Sequence, residues 1–201
     1  MRLNPVNQRL RIHAVQAAAL AAAAMLLLVQ PRLHGEWHEL IEMTGVGLVL
    51  VCIAGRMWSI LYVGSKKNLE LVTSGPYSLT RNPLYFCSML GAAGIGLMQG
   101  SVIVALALAA LTYAIFAITA AKEADYLRTV FGARYDAYAA ETPMFWPKLS
   151  GYRDAPEIAF SPRALRRTFL DGLVFLAAFP AIEAIEHLQA AGYLPVIASI
   201  F

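Results

Sequence analysis

The residues best suited to chemistry crowd into one stretch, Gly64 to Gly91, which is polar, aromatic and turn-forming between two strongly apolar segments. Gly75-Pro76-Tyr77 is a turn signal, since glycine tolerates unusual dihedrals and proline fixes φ. Arg81-Asn82-Pro83 sets a cation and an amide directly before a proline, a favoured first residue of a helix. Tyr85 falls in the first turn of that helix. A ligand there would meet Arg81, Asn82, Tyr85 and unpaired backbone N–H groups together, and helix N-termini attract anions for this reason. The same residues would equally form an interhelical loop with its cations at a membrane surface. Residue types alone do not separate the two.

The elements that position this stretch are set by composition. Of the 201 residues, 59% are hydrophobic and only 14% charged, and the mean hydropathy is +0.58. Soluble domains carry about 25% charged residues, so the chain reads as a membrane protein. Its net charge of +3 does not point to nucleic acid, because the cations cluster in loops and no basic-aromatic interleaving of the strand-binding kind occurs. Cys52 and Cys87 lie in or beside apolar runs without metal-ligand company in sequence, and read as small buried hydrophobes.

Five apolar runs divide the chain: about Ile12 to Val29, Leu40 to Val63, Pro83 to Met98, Val102 to Ala121 and Thr168 to Leu188, the last interrupted by Pro180. The first is long and ends in Gln30-Pro31-Arg32, so it reads as a span and not as a cleaved leader. Gly45 and Gly47, and then Gly91, Gly94 and Gly96, predict close helix contacts. Gln99-Gly100-Ser101 predicts a tight reversal. A helix is expected to continue past the fourth run to Phe131, followed by a short one from Arg134 to Ala140. Fourteen of the sixteen Lys and Arg residues fall on one side of this arrangement, which the positive-inside rule makes cytoplasmic. The expected fold is therefore an all-α polytopic bundle of about five transmembrane helices with a cytoplasmic N-terminus, in a bacterial inner membrane. The 64–91 stretch and residues 122–147 then share the cytoplasmic face.

On that face the sequence resembles a known family. Gly75-Pro76-Tyr77, three residues, then Arg81-Asn82-Pro83-Leu84-Tyr85 is similar to the G-P-Y-x-x-x-R-[HN]-P-x-Y motif of the isoprenylcysteine carboxyl methyltransferase family of integral membrane enzymes and of related phospholipid N-methyltransferases. A second family motif is matched at Glu123, Leu127, Phe131, Gly132, Tyr135, Tyr138 and Pro143. Arg56-Met57-Trp58 resembles a further R-x-W element. The resemblance covers residues 45–147. It implies S-adenosylmethionine as cofactor, held at the cytoplasmic side by Tyr77, Arg81, Asn82, Pro83, Tyr85, Glu123, Leu127, Tyr135 and Tyr138, with no metal. Arg56 and Glu123 are the expected catalytic residues. Arg81 would pair with the methionine carboxylate, Asn82 would bond the amino-acid moiety and Glu123 the ammonium or ribose hydroxyls. The tyrosines suit adenine or the sulfonium.

The acceptor implied is lipophilic and arrives from the bilayer: a prenylcysteine-like carboxylate, a phospholipid amine or a thiol. Departures from the family pattern bear on that choice. Asn82 replaces the usual His, Ala124 a second Glu and Cys87 a Gly, while Glu141-Thr142 stands where prenylcysteine enzymes carry a basic residue and Val. Arg56 either snorkels to the membrane surface or faces the bundle interior toward the acceptor or Glu123. Two other classes stay open: a sterol-reductase-like oxidoreductase using NADPH, and a non-catalytic scaffold.

Residues 1–148 read as the methyltransferase core. Residues 149–201 read as a cytoplasmic linker and an added helix that shields the acceptor entrance or joins two copies in a homodimer. On the opposite side, His34, His38 and Glu42 share one helical stripe and Glu183, Glu186 and His187 another. Such groups suit a metal or simply wetted helix ends, and the reading taken is wetted ends.

Overall fold

In a computed structural model, which describes residues 29–31, 36–64, 70–194 and 198–200, the second apolar run folds as helix α1 (Glu36–Val63). It starts a turn before the expected Leu40, because Glu36 and Glu39 suit the positive end of the helix dipole. Gly75, at φ 59°, then turns the chain into a one-turn helix α2 (Pro76–Leu79). Pro83 opens α3 (Pro83–Met98), which has the expected bounds. Gly100, at φ 70°, makes the predicted reversal. Ser101 caps α4 (Val102–Phe131) by accepting a hydrogen bond from the Val104 N–H. At 30 residues, α4 is about 45 Å long, so its polar end projects beyond the ~30 Å of a bilayer core.

Gly132, at φ 54°, ends α4 and starts α5 (Ala133–Glu141). An extended strap follows, with a 3-10 turn at Leu149–Gly151. The last apolar run differs from expectation at its start: α6 (Pro162–Leu176) begins six residues before Thr168, capped by Ser161 with Pro162 as its first residue. It stops at Leu176, and α7 (Ala178–Ala190) resumes. The cause is Pro180, which has no N–H to donate to the Leu176 carbonyl. Two three-residue strands, β1 (Val29–Pro31) and β2 (Ala198–Ile200), pair in parallel. Except for Val29 in β1, the expected first span lies outside the described residues.

The fold is all-α, a helical membrane bundle. Among the described residues α1, α4 and α6–α7 are long and apolar enough to cross a membrane, and α3 is a shorter apolar helix. α3 sits centrally, with α1 and α4 packed on it and α6 on α1. Val49 of α1, Met98 of α3 and Ile182 of α7 form a buried cluster with Phe175 and Phe179 beside it.

Glycine brings α1 and α3 together. A Cβ on Gly45 would lie 2.6 Å from the Gly94 carbonyl oxygen and the Met98 nitrogen, and one on Gly94 2.7 Å from the Gly45 oxygen. Backbone touches backbone there. Gly47 does not belong to this contact: nothing lies within 4 Å of its Cβ position, because it is two residues from Gly45 and so on another face of the helix.

Candidate active site

The two motif segments meet through backbone hydrogen bonds. The strap after α5 runs along the α2 turn: Arg81 N–H donates to the Pro143 carbonyl, Lys148 N–H to that of Leu79 and Gly75 N–H to that of Arg153. Thr80 Oγ1 adds a bond to the Phe145 carbonyl at 3.0 Å. Phe145 and Trp146 pack on Phe86 and Tyr113, fixing the strap to α3 and α4. The turn itself is close-packed, since a Cβ on Gly75 would fall 2.3 Å from the Tyr62 ring.

These elements enclose a cavity of about 510 Å³ that every predicted site residue lines: Arg56, Tyr77, Arg81, Asn82, Pro83, Tyr85, Glu123, Leu127, Tyr135 and Tyr138. α1, α3, α4, α5 and α6 all contribute. Arg56 therefore faces the interior. Its guanidinium donates to Ser88 Oγ at 2.5 Å and lies 5.9 Å from the Phe175 ring centre. Of its two expected partners, the acceptor and Glu123, the latter instead accepts from the Tyr85 hydroxyl at 2.9 Å. Tyr85 stacks on Phe116 at 4.7 Å, which aims the hydroxyl.

Arg81 donates to the Tyr135 hydroxyl at 3.1 Å, with its guanidinium carbon 5.9 Å from that ring's centre. Tyr135 is only 2% exposed. The Nε atoms of both Arg56 and Arg81 are buried without a hydrogen-bond partner. Buried donors of this kind are costly unless something meets them.

Three expected contributions come out differently. Asn82 spends its side-chain N–H on the Met144 carbonyl at 2.8 Å, so it holds the strap. The start of α3 offers fewer free donors than the motif suggests, because the N–H groups of Tyr85 and Phe86 both donate to the Asn82 carbonyl. Tyr138 uses its hydroxyl on the Tyr77 carbonyl at 2.6 Å, which spaces α5 from the turn. Burial pushes the Tyr77 and Tyr138 phenols well above the usual tyrosine range, so both stay neutral and neither serves as a base.

The motifs also missed part of the wall. Ser88 and Phe116, Glu70 with Leu71 and Val72, and Ala164 with Thr168 of α6 line the same cavity. Thr168 and Ala164 could have been found only by asking what closes the side of α1, since small residues on an apolar helix carry no signature.

Asp154 anchors the strap's far end. It accepts from the hydroxyls of Tyr62 and Tyr152 and from the Ala155 N–H. The Tyr62 hydroxyl first, then that of Tyr152, holds its carboxyl below the usual carboxylate range. A depressed pKa stabilises the folded form above the unfolded value of ~3.9 and loses that effect as pH falls through the folded value. Acid is thus expected to loosen the strap. The protection factor of the Gly75 amide should fall severalfold below that range, and Asp154→Asn should show the lower value already at neutral pH.

The fold and site thus define a helical membrane bundle with a polar and aromatic cavity between its helices. The comparisons with known proteins narrow the class. The family model described as phospholipid methyltransferase matches residues 41–134. The nickel-cobalt-cadmium resistance protein NccN of Alcaligenes xylosoxydans xylosoxydans is 34% identical over 81% of this chain and 78% of its own. The cobalt-zinc-cadmium resistance protein CzcN of Cupriavidus metallidurans is 33% identical over 96% of this chain and 89% of its own. Protein-S-isoprenylcysteine O-methyltransferase B of Arabidopsis thaliana is 30% identical over 46% of this chain and 48% of its own. No solved structure matches. Over residues 41–134 the chain belongs to the phospholipid methyltransferase family, and it is similar there to an isoprenylcysteine methyltransferase.

Proposed function

We propose that this protein transfers a methyl group from S-adenosylmethionine to a lipophilic acceptor at the cytoplasmic side of a bacterial inner membrane. The observation that carries the reading is the wall of the 510 Å³ cavity. It has the size of cofactor sites, ~300–1,000 Å³, and combines two guanidiniums with buried, unpartnered Nε atoms, the carboxylates of Glu70 and Glu123 and several aromatic side chains. A donor that is at once a carboxylate, a cation and a purine nucleoside fits that set. Bound there, the cofactor would supply a methyl group on an electrophilic sulfonium.

The chain's own residues then have distinct tasks. Arg81, propped by Tyr135, would take the donor's carboxylate. Glu123, oriented by Tyr85, would accept from its ammonium or ribose hydroxyls. The rings of Tyr77 and Tyr138 shape the aromatic wall and exclude water. Arg56, held by Ser88 on the α1 side, faces the acceptor. Ile60 and Val63 of α1 lie across the cavity wall from Ala164 and Thr168 of α6, and a lipid would enter sideways between these helices. Methyl transfer asks mainly for orientation and dryness, which this enclosure provides. With both buried phenols neutral, a carboxylate or an already ionised acceptor is favoured over one that must first lose a proton.

The names of CzcN and NccN add a setting: we place the modification in a membrane exposed to cobalt, zinc or cadmium stress. Unchanged growth limits in these metals after gene deletion would remove that setting without touching the chemistry.

Calorimetric titration of the purified protein with S-adenosylhomocysteine tests the donor site. Micromolar binding that Arg81→Ala weakens at least tenfold is the expected result. No heat from folded protein, or binding of NADPH instead, would overturn it. A labelled-methyl assay on membrane extract then identifies the acceptor.

A further inference from the structure

We propose that His38, Glu42 and Glu186 form a binding site for a divalent transition-metal cation at the end of the bundle away from the methyl-transfer cavity. One ligand atom from each residue lies within 4.8 Å of the other two, and His38 Nε2 is 3.1 Å from Glu42 Oε1. A point inside such a triangle is within about 2.8 Å of every corner, so adjustments under ~1 Å reach the ~2.0–2.2 Å bonds that zinc takes from imidazole and carboxylate.

The cluster is held in place by packing. His38 and Glu42 are one turn apart on α1, and Val46, a turn further on, packs against the Val49–Met98–Ile182 cluster. Glu186 follows Ile182 by one turn of α7. The same Val49–Met98–Ile182 packing that ties α7 to α1 and α3 therefore brings the three side chains to one point, with His38 about 27 Å along α1 from Arg56.

Charge argues the same way. The charged neighbours acting on Glu42 and Glu186 are Glu39, Glu183 and the imidazoles of His38 and His187. Residues 36–48 and 178–194 contain no Lys or Arg. Two carboxylates that are only partly exposed thus converge with an imidazole as their counter-group, while His38 Nδ1 and Glu186 Oε1 are buried without a hydrogen-bond partner. A divalent cation would neutralise that excess. One nitrogen and two carboxylate oxygens select zinc, cobalt, nickel or cadmium over magnesium, which prefers an all-oxygen octahedron. Three protein ligands leave a position for water or a further group. Residues of the two stripes, read from the sequence as wetted helix ends, thus converge between α1 and α7. His34 and its place in the stripe lie outside the described residues.

The test uses full-length, tag-free protein in detergent, dialysed against zinc chloride and separately against cobalt chloride. The expected result is one zinc per chain, a raised thermal midpoint, and visible cobalt absorption that zinc bleaches. Glu186→Gln and His38→Gln should each weaken zinc at least tenfold, and Glu36→Gln at the same helix end should not. Circular dichroism of each metal-free variant checks folding, and Glu42→Gln stands in if either fails to fold. Absence of stoichiometric zinc would overturn the proposal. So would zinc binding that survives the substitutions, since the ion would then sit elsewhere.

Discussion

Glu123→Ala is expected to lower kcat/KM for methyl transfer at least 100-fold, about 2.7 kcal/mol of lost stabilisation. The size follows from what is left behind. Glu123 is the carboxylate that α4 presents to the cavity, and the Tyr85 hydroxyl donates to it. Removing it takes away the acceptor for the donor molecule's polar hydrogens and one hydrogen bond of the partly buried Tyr85 hydroxyl in the same step. Tyr85→Phe keeps the carboxylate but frees it to rotate, and about a tenfold loss should follow. Because the two side chains act as one unit, Tyr85→Phe combined with Glu123→Ala should be little worse than Glu123→Ala alone. Initial rates with the acceptor found in membrane extract, and S-adenosylhomocysteine affinity measured beside them, check both statements. Full additivity would mean that Tyr85 reaches the ligand independently of Glu123.

Gly94→Val should unfold the bundle or lower its stability by about 3 kcal/mol or more. The added carbons meet the Gly45 carbonyl at 2.7 Å and a Val49 methyl at 2.9 Å, and neither helix backbone can yield without losing the α1–α3 contact. Gly45→Val should behave alike. Gly47→Val, where the Cβ direction is open, should stay within about 1 kcal/mol of the parent. Thermal unfolding of the three variants in one detergent separates them. Equal midpoints for Gly47→Val and Gly94→Val would mean that β-branching in the helix, not the crossing, sets the cost.

The contrast between these glycines shows what the sequence could and could not say. Helix boundaries at Pro83, Met98 and Phe131 were legible, because Pro, Gln-Gly-Ser and Gly impose their backbone preferences locally. So was the gathering of Arg81, Tyr85, Glu123, Tyr135 and Tyr138 on one wall, since two spaced motifs on one membrane face have few other ways to fold. Which glycine touches which helix was not legible. That depends on the rotation of α1 against α3, and Gly45 and Gly47 look alike in one dimension. The duty of Asn82 was hidden for a related reason: its partner is the carbonyl of Met144, and every residue has a carbonyl. Thr168 and Glu186 reach their neighbours across more than 80 residues of chain, through packing that no local pattern encodes.

The strap has a consequence for how the protein is made. Its bonds to the α2 turn join residues 65 and 75 positions apart, as Thr80 with Phe145 and Ser78 with Arg153 show. Contacts of such separation form late, because the intervening loop must close first. A ribosome that has just delivered Arg81 and Tyr85 to the membrane has still to synthesise α4, α5 and the strap. Until Arg153 emerges, the nascent chain has the motif but not the strap that braces it, and Ala164 and Thr168 of the cavity wall have still to follow.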